Sequence, residues 1–130
     1  MINTKNSIEM KFCNLDYLKS ISPDNPKFMK EMIQLFLKKV PQSIEEMNKF
    51  LIAADWHNLG EHAHKIKSNI QTMGIKKEIL DAAKQIEDNC KYQKHLDLMP
   101  SLLLEIETEF NEVYKELEKE LSRFSEIMKS

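Results

Sequence analysis

The residues best suited to chemistry in this chain are a histidine and a lysine three positions apart, His64 and Lys67. Residues three or four apart share one face of a helix, so the imidazole and the ammonium group are neighbours. We expect the charge of Lys67 to disfavour protonation of His64, which keeps the imidazole neutral and nucleophilic. The same ammonium can pair with an anion attached to the ring. The pair is therefore suited to hold a phosphoryl group on a ring nitrogen.

Small side chains flank His64 on the same side of its predicted helix. Gly60 lies one turn before it and Ser68 one turn after it. A glycine inside a helix costs about 1 kcal/mol relative to alanine, so Gly60 needs a reason other than helix stability. We predict that Gly60, Lys65, Ser68 and Gln71 form an open docking surface around the histidine, which another protein can approach closely.

Two other interpretations of His64 remain open on geometry alone. The more frequent one for such a pair is an ordinary surface histidine. The other is a metal site, because Glu61 and His64 have the Glu-x-x-His spacing of di-iron bundles. Those sites need two such pairs and two further glutamates. The other three histidines have no glutamate three residues before them, so we predict no metal site.

The composition excludes several classes of function. The 130-residue chain has a net charge of -2, whereas nucleic-acid and membrane-surface binders are usually basic, so we predict neither partner. No apolar run approaches the roughly 18 residues of a membrane span. The first residues also lack the apolar core of a signal peptide. Cys13 and Cys90 are expected to be reduced thiols in a cytoplasmic protein.

The elements that position these residues must be helices, since the chain has only two Gly and four Pro and is rich in helix-forming residues. Apolar residues recur at helical spacing in four long segments. The first three stripes are Met29, Ile33, Phe36, Val40, Ile44, Met47 and Leu51; Leu59, Ala63, Ile66, Ile70 and Met73; and Ile79, Leu80, Ala83, Ile86 and Cys90. The first stripe stays in phase through Pro41, which predicts one kinked helix. The last segment, from Met99, predicts a helix of about 30 residues.

These segments predict an all-α protein, an antiparallel four-helix bundle with a short N-terminal helix and a long C-terminal helix. The short helix carries Tyr17 and Leu18 and lies across the bundle as a lid. Gly74 ends the helix that carries His64. Residues 14–130 are expected to form a single domain, and residues 1–13 a loosely ordered N-terminal segment.

The end of the long last helix is expected to extend past the bundle. Its apolar residues near Phe124 and Met128 would then be exposed. We expect a monomer, with self-association through this helix as the alternative.

The stretch around His64 resembles the histidine-containing phosphotransfer (HPt) domain of phosphorelays. The family pattern is Ala-His, Lys three after the His, Gly four after it and a second Gly ten after it. The corresponding residues here are Ala63-His64, Lys67, Ser68 and Gly74. Further similar positions are Phe36 and Pro41, the turn Ala54-Asp55-Trp56, and Leu80, Ala83 and Ile86-Glu87 in the following helix. The resemblance covers residues 14 to 112.

This resemblance implies a phosphoryl carrier rather than an enzyme. His64 would accept the group from a receiver-domain aspartate and pass it to another, with Lys67 stabilising it. The implied partners are response-regulator receiver domains, a hybrid sensor histidine kinase, or both. No cofactor is expected on this chain, because the receiver supplies the Mg2+. Ser68 replaces the first family glycine and narrows the space beside the phosphoryl group.

Three further lysines are predicted to form a basic rim beside the histidine. Lys65, Lys76 and Lys77 would face an acidic receiver pocket. The alternative is a helical adaptor that binds a receiver or sensor kinase without being phosphorylated, which Ser68 and the long last helix support. The initial Met1 favours a stand-alone protein over part of a hybrid kinase.

Overall fold

The computed structural model describes residues 10–129, with side chains described for residues 10–126. In this part of the chain the α-helices are α1 (Asp16–Ile21), α2 (Pro26–Ile52), α3 (Trp56–Thr72), α4 (Lys77–Tyr92) and α5 (Met99–Lys129), with a 3-10 turn at Leu96–Leu98. The predicted all-α fold, with a short N-terminal helix and a long C-terminal helix, is confirmed. The prediction of one helix running through Pro41 is also confirmed.

Side-chain caps fix where two of the long helices begin. The Asn25 side chain accepts the backbone N–H of Phe28 at 3.0 Å, just before the first turn of α2. The Asp55 carboxylate accepts two hydrogen bonds from Asn58, from its side-chain amide at 2.7 Å and its backbone N–H at 3.3 Å. These bonds lower the pKa of Asp55. The caps fix where α2 and α3 begin. The buried stripe of Leu59, Ala63 and Ile66 sets which face of α3 meets the core.

The four long helices close into a bundle in which α2 packs on α3, α3 on α4, α4 on α5, and α5 on α2. The helix that carries His64 therefore lies diagonally opposite α5. The predicted stripes face the centre, where Ile33, Ile66, Ile86 and Ile106 are all fully buried. Burial of one such side chain stabilises the fold by about 1.5–3 kcal/mol, so this centre holds α3 rigidly.

Residues 10–15 form a strap that packs on α5. The backbone N–H groups of Lys11, Phe12 and Cys13 donate to the carboxylate of Glu116 at distances from 2.6 to 3.1 Å. Residues 10–13 thus differ from the predicted loosely ordered segment, because Glu116 satisfies three consecutive amides of the strap. Residues 1–9 of that prediction lie outside the described residues. Burial, followed by the hydrogen bond to Glu116, raises the pKa of the Cys13 thiol.

The distal half of α5 is covered rather than exposed. Leu117 is fully buried and Phe124 is 7% exposed, so the prediction of an exposed apolar end near Phe124 is wrong. The reason is that the strap and α1 add their own core residues, Leu15 and Leu18, to the same hydrophobic cluster. The side chain of Met128 lies outside the described residues.

Candidate functional site

His64 lies on the solvent side of α3, with its side chain 65% exposed. Its neighbours Ala63 and Ile66 point into the core and are almost completely buried. This placement follows from the helical phase, because two buried positions on one side leave the histidine on the other. A partner protein can therefore reach the imidazole without any movement of the bundle.

A glutamate of the next helix joins the histidine and the lysine. His64 Nδ1 lies 2.7 Å from Glu87 Oε2, and Lys67 Nζ lies 2.7 Å from Glu87 Oε1. The side chains of Glu87 and Lys67 are 27% and 23% exposed, so the contact is partly shielded from water. The three residues form a single network at the junction of α3 and α4.

The network selects one tautomer of His64. An ionised carboxylate only accepts hydrogen bonds, so Nδ1 must donate its proton to Glu87. In the neutral ring the lone pair then lies on Nε2, on the side away from Glu87. Since the ring is mostly exposed, Nε2 is the nitrogen available to an incoming electrophile.

The electrostatics of the site keep Glu87 ionised. Burial raises the pKa of Glu87, but the hydrogen bonds from Lys67 and His64 lower it more, so that it lies below the ordinary value of 4.5. The carboxylate is therefore charged throughout the neutral range. It faces both Nδ1 and the ammonium group at once.

The expected direct action of Lys67 on His64 needs correction. The Lys67 ammonium is engaged by Glu87, so its charge is partly neutralised by the carboxylate that also accepts from the imidazole. Glu87, rather than Lys67, selects the tautomer of the ring through the Nδ1 hydrogen bond. Lys67 and His64 thus contact the two oxygens of one carboxylate.

Gly60 lies where α3 and α4 pack against each other. A Cβ added there would lie 3.0 Å from the Cβ of Cys90, so Gly60 lets α3 and α4 approach closely. Burial raises the pKa of the Cys90 thiol to about 11, which is consistent with a packing role. Gly60 also lines an open depression together with Glu87 and Cys90, so the close helix contact lies at the floor of the predicted opening on this side of His64.

The other predicted docking residues lie on the far side of His64. Lys65, Ser68 and Gln71 are all exposed. The Ser68 hydroxyl donates to the backbone carbonyl of Lys65 at 3.2 Å, so it folds back onto its own helix. Gln71 lines a cavity with Tyr17 of α1, Ser68 and Thr72.

The predicted basic rim is only partly present. The ammonium of Lys76 lies 3.5 Å from Glu109 of α5, which is diagonal to α3, so it faces the other side of the bundle. Lys77 is exposed at the start of α4, ten residues before Glu87. Lys65 remains next to the site.

Gly74 ends α3 as predicted, and its geometry shows why a glycine is needed. Its φ is 59°, in the left-handed region. The N–H of Gly74 donates to the carbonyl of Gln71 and the N–H of Ile75 to that of Ile70, the two bonds of a Schellman motif. A Cβ at Gly74 would also lie 2.5 Å from the Asn14 carbonyl oxygen, because the strap passes directly over it.

Metal binding and membrane insertion find no support in the described part of the chain. Among residues 10–129 no group of three or more His, Cys, Asp or Glu side chains is placed to hold a metal ion. Within that range, no helix has both the length and the apolar character needed to cross a membrane.

The sequence prediction missed the role of Glu87. It lies 23 residues after His64 on another helix, so the spacing rules that pair residues within one helix cannot detect it. The available signal was weak: Glu87 follows the core residue Ile86 and therefore stands at the edge of the apolar stripe of α4. Helix packing brings that edge against the outer side of α3.

Comparison with known proteins gives one match. The family model described as Hpt domain matches residues 31–126. Searches of the curated proteins and of the solved structures found no match. The matched region begins after α1 and contains α3, Glu87 and most of α5.

Proposed function

The chain belongs to the Hpt domain family, and from that premise we propose that His64 carries a phosphoryl group between receiver-domain aspartates. Membership in this family implies a phosphotransfer role in two-component signalling and a carrier module rather than a catalyst. The observation that supports His64 as the carrier is the Glu87 hydrogen bond to Nδ1, which directs the lone pair to exposed Nε2.

The proposed reaction has two steps. The Nε2 lone pair attacks the phosphorus of the receiver's aspartyl phosphate, a P–N bond forms, and the P–O bond breaks with its electron pair returning to the aspartate. In the second step an aspartate oxygen of another receiver attacks the phosphorus, and the P–N electron pair returns to Nε2. No proton has to leave the ring in either step.

Glu87 and Lys67 act on the charges that this reaction creates. With Nδ1 still protonated, the phosphorylated ring carries a positive charge, which the Glu87 carboxylate stabilises. The phosphoryl oxygens carry negative charge, which Lys67 can pair with. Phosphoryl transfer passes through a loose transition state that depends mainly on positioning and electrostatics. In this proposal the helix α3 positions the imidazole, and Glu87 and Lys67 supply the charges.

The proposed partners and location follow from the same assignment. The Hpt family interacts with receiver domains and kinases in phosphorelays. We propose that a response-regulator receiver, a hybrid sensor kinase, or both dock on the His64 face, with Mg2+ bound to the receiver. The proposed location is the cytoplasm, and the proposed oligomeric state is a monomer.

The test is phosphotransfer from a receiver domain that has been phosphorylated with radiolabelled acetyl phosphate in Mg2+. We expect acid-labile label on the wild-type protein and none on His64→Gln. The matched control is His57→Gln, which removes another exposed histidine of α3 two turns earlier and should be labelled like the wild type.

Two results would contradict the assignment of His64 as the phosphoryl carrier. Label that persists on His64→Gln would place the phosphoryl group elsewhere. A wild-type protein that binds receivers but takes no label from any of them would favour the adaptor alternative. That alternative draws on Ser68 and on the long last helix; the Ser68 hydroxyl bonds to its own helix, and the strap packs on α5.

A further inference from the structure

A groove runs between α4 and α5, on the other side of α4 from its contact with α3. It encloses about 370 Å³, and buried Ile79 lines it from α4. The residues that line it from α5 include four exposed positions with the i, i+3, i+4, i+7 spacing of one helix face, Ser101, Leu104, Glu105 and Thr108. The groove is therefore an open surface shared by two helices and separate from the His64 site.

Leu104 gives this groove an exposed apolar wall. It is 61% exposed, although Leu103 and Ile106 near it in sequence are almost completely buried. A single exposed leucine is common on protein surfaces and indicates nothing by itself. Leu104 differs because it borders a depression that is also lined by Ile79. An apolar side chain inserted there would contact both residues.

The first half of α5 is strongly acidic. Residues 99–114 contain four glutamates and neither lysine nor arginine. Two of the four, Glu105 and Glu109, line the groove. The ammonium of Lys76 lies 3.5 Å from Glu109 Oε1, longer than the roughly 2.8 Å of a charge-assisted hydrogen bond. Glu109 can therefore accept a closer cation, and exposed Glu105 adds a second negative charge.

This combination of shape and charge fits a basic amphipathic helix. The furrow between two packed helices accepts the side-chain ridge of a third, and amphipathic helices bind in such grooves through their apolar face. A leucine of the partner would contact Leu104 and Ile79, and a lysine or arginine one turn away would reach Glu105 or Glu109. A second copy of this chain fits less well, because it would bring two acidic α5 segments together.

We propose that the groove between α4 and α5, with Leu104 as its apolar wall and Glu105 and Glu109 as its acidic border, binds a basic amphipathic helix of a partner protein. This inference goes beyond phosphoryl transfer and does not depend on it. Because α5 lies diagonally opposite α3, a helix bound in the groove leaves His64 accessible. The partner would stay attached while another protein reaches the imidazole, which raises the local concentration of any domain that the partner carries.

The probe is a fluorescently labelled synthetic peptide of leucine and lysine, about four helical turns long, with its leucines on one face. Fluorescence anisotropy measures its Kd for the full chain at low ionic strength, and we expect binding in the micromolar range. Leu104→Ala should raise the Kd about tenfold, the effect of a typical interface hot spot. Glu105→Lys should raise it about fivefold, and less in high salt. A peptide with glutamate in place of lysine should not bind.

Two control variants match these changes outside the groove. Leu35→Ala removes another exposed leucine, on α2. Glu118→Lys reverses an exposed glutamate further along α5 and changes the net charge by the same amount as Glu105→Lys. Each control should change the Kd by no more than about twofold. Because Leu104 and Glu105 are exposed, their variants should fold, and thermal unfolding monitored by circular dichroism verifies this.

Three results would overturn the inference. The first is an unchanged Kd in Leu104→Ala, and the second is equal weakening by Glu105→Lys and Glu118→Lys, which would mean that the peptide responds to net charge alone. The third is a wild-type dimer that does not bind the peptide and dissociates in Leu104→Ala, which would make the groove a contact between copies.

A further measurement tests where the groove lies relative to His64. Phosphorylation of His64 by phosphoramidate should proceed at the same rate with and without saturating peptide. A slower rate with peptide would contradict a binding surface that leaves the imidazole accessible. Failure of every receiver to label His64 would overturn the proposed function and leave peptide binding in the groove as it is.

Discussion

Glu87 and Glu116 both gather several hydrogen-bond donors, but the donors differ in kind. Glu87 accepts from two side chains, His64 and Lys67, at the exposed face of α3. Glu116 accepts from three consecutive backbone amides of the strap, at 103 to 105 residues away in sequence. Side chains can change partners when an anion arrives, whereas the amides of a packed strap are fixed. We infer that the first carboxylate serves the reaction and the second serves the fold.

The strap and the His64 site should therefore be separable by mutation. Changes at the strap should lower the free energy of unfolding and leave the chemistry at Nε2 unaltered. Changes at Glu87 should slow phosphoryl transfer and alter stability little.

Gly74→Ala should have the largest effect on stability. The added Cβ would be forced into a left-handed conformation and would lie 2.5 Å from the Asn14 carbonyl oxygen. The left-handed conformation costs about 1–2 kcal/mol, and displacement of the strap raises the expected loss to about 3 kcal/mol. Denaturant unfolding measures it.

The control for Gly74→Ala is Gly60→Ala. Gly60 has a helical backbone, so alanine there meets no left-handed strain. The gain of about 1 kcal/mol in helix propensity is opposed by the 3.0 Å contact with the Cβ of Cys90, and the net change should stay within about 1 kcal/mol. A loss below about 1 kcal/mol for Gly74→Ala would mean that the strap moves aside easily. In that case the strap would not be a fixed part of the fold.

Glu116→Ala should destabilise the protein by about 2 kcal/mol, because three strap amides lose a charged acceptor and only part of them can be hydrated. Chemical phosphorylation of His64 by phosphoramidate should proceed at the wild-type rate. Glu118→Ala, an exposed glutamate of the same helix, should cost less than about 0.5 kcal/mol. Slower phosphorylation in Glu116→Ala would show that the strap also acts on the site.

The strap illustrates why part of the fold could not be predicted from the sequence. Hydrophobic periodicity was sufficient for the long helices, because the burial of residues such as Ile33 and Ile106 follows directly from a 3.6-residue period. The attachment of the strap to α5 depends on amides that meet Glu116 across more than 100 residues. Backbone amides are present in every sequence, so nothing in the residue types near Lys11 indicates that contact.

The candidate site, like the fold, could be predicted from the sequence only in part. His64 and Lys67 could be paired from their spacing because both lie on one helix. Glu87 could not, since its contact depends on how closely α3 and α4 pack, and the close approach at Gly60 and Cys90 is visible only in three dimensions. Local geometry was therefore predictable, and the network that assigns the tautomer was not.

Glu87→Gln should slow transfer from a phosphorylated receiver to His64 about tenfold, which corresponds to about 1.4 kcal/mol of lost charge stabilisation on the ring. The amide oxygen can still accept from Nδ1, so the tautomer is retained while the negative charge is lost. Single-turnover kinetics at a saturating receiver concentration measure it. Unchanged kinetics would remove Glu87 from the mechanism and leave it as a partner of Lys67 alone.

The pH dependence of stability tests the same carboxylate. The pKa of Glu87 is lowered below 4.5 in the folded protein, so its contribution to stability is present above that value and is lost as the pH falls through the lowered pKa. The difference in unfolding free energy between the wild type and Glu87→Gln should therefore shrink in this acidic range. Because Glu87 is partly exposed, the whole difference should not exceed about 1 kcal/mol. A difference that stays constant down to pH 2 would contradict the network.

Ser68→Gly should have the smallest effect, although Ser68 is the position that departs from the family pattern. The hydroxyl donates to the carbonyl of Lys65 and not toward the imidazole, so its removal opens little space beside Nε2. We expect transfer rates to change by less than about threefold and stability to fall by about 0.5 kcal/mol, the propensity difference between the two residues. A rate change above tenfold, without a matching change in Ser68→Ala, would show that backbone exposure at this turn, rather than the volume of the side chain, limits how closely a receiver approaches His64.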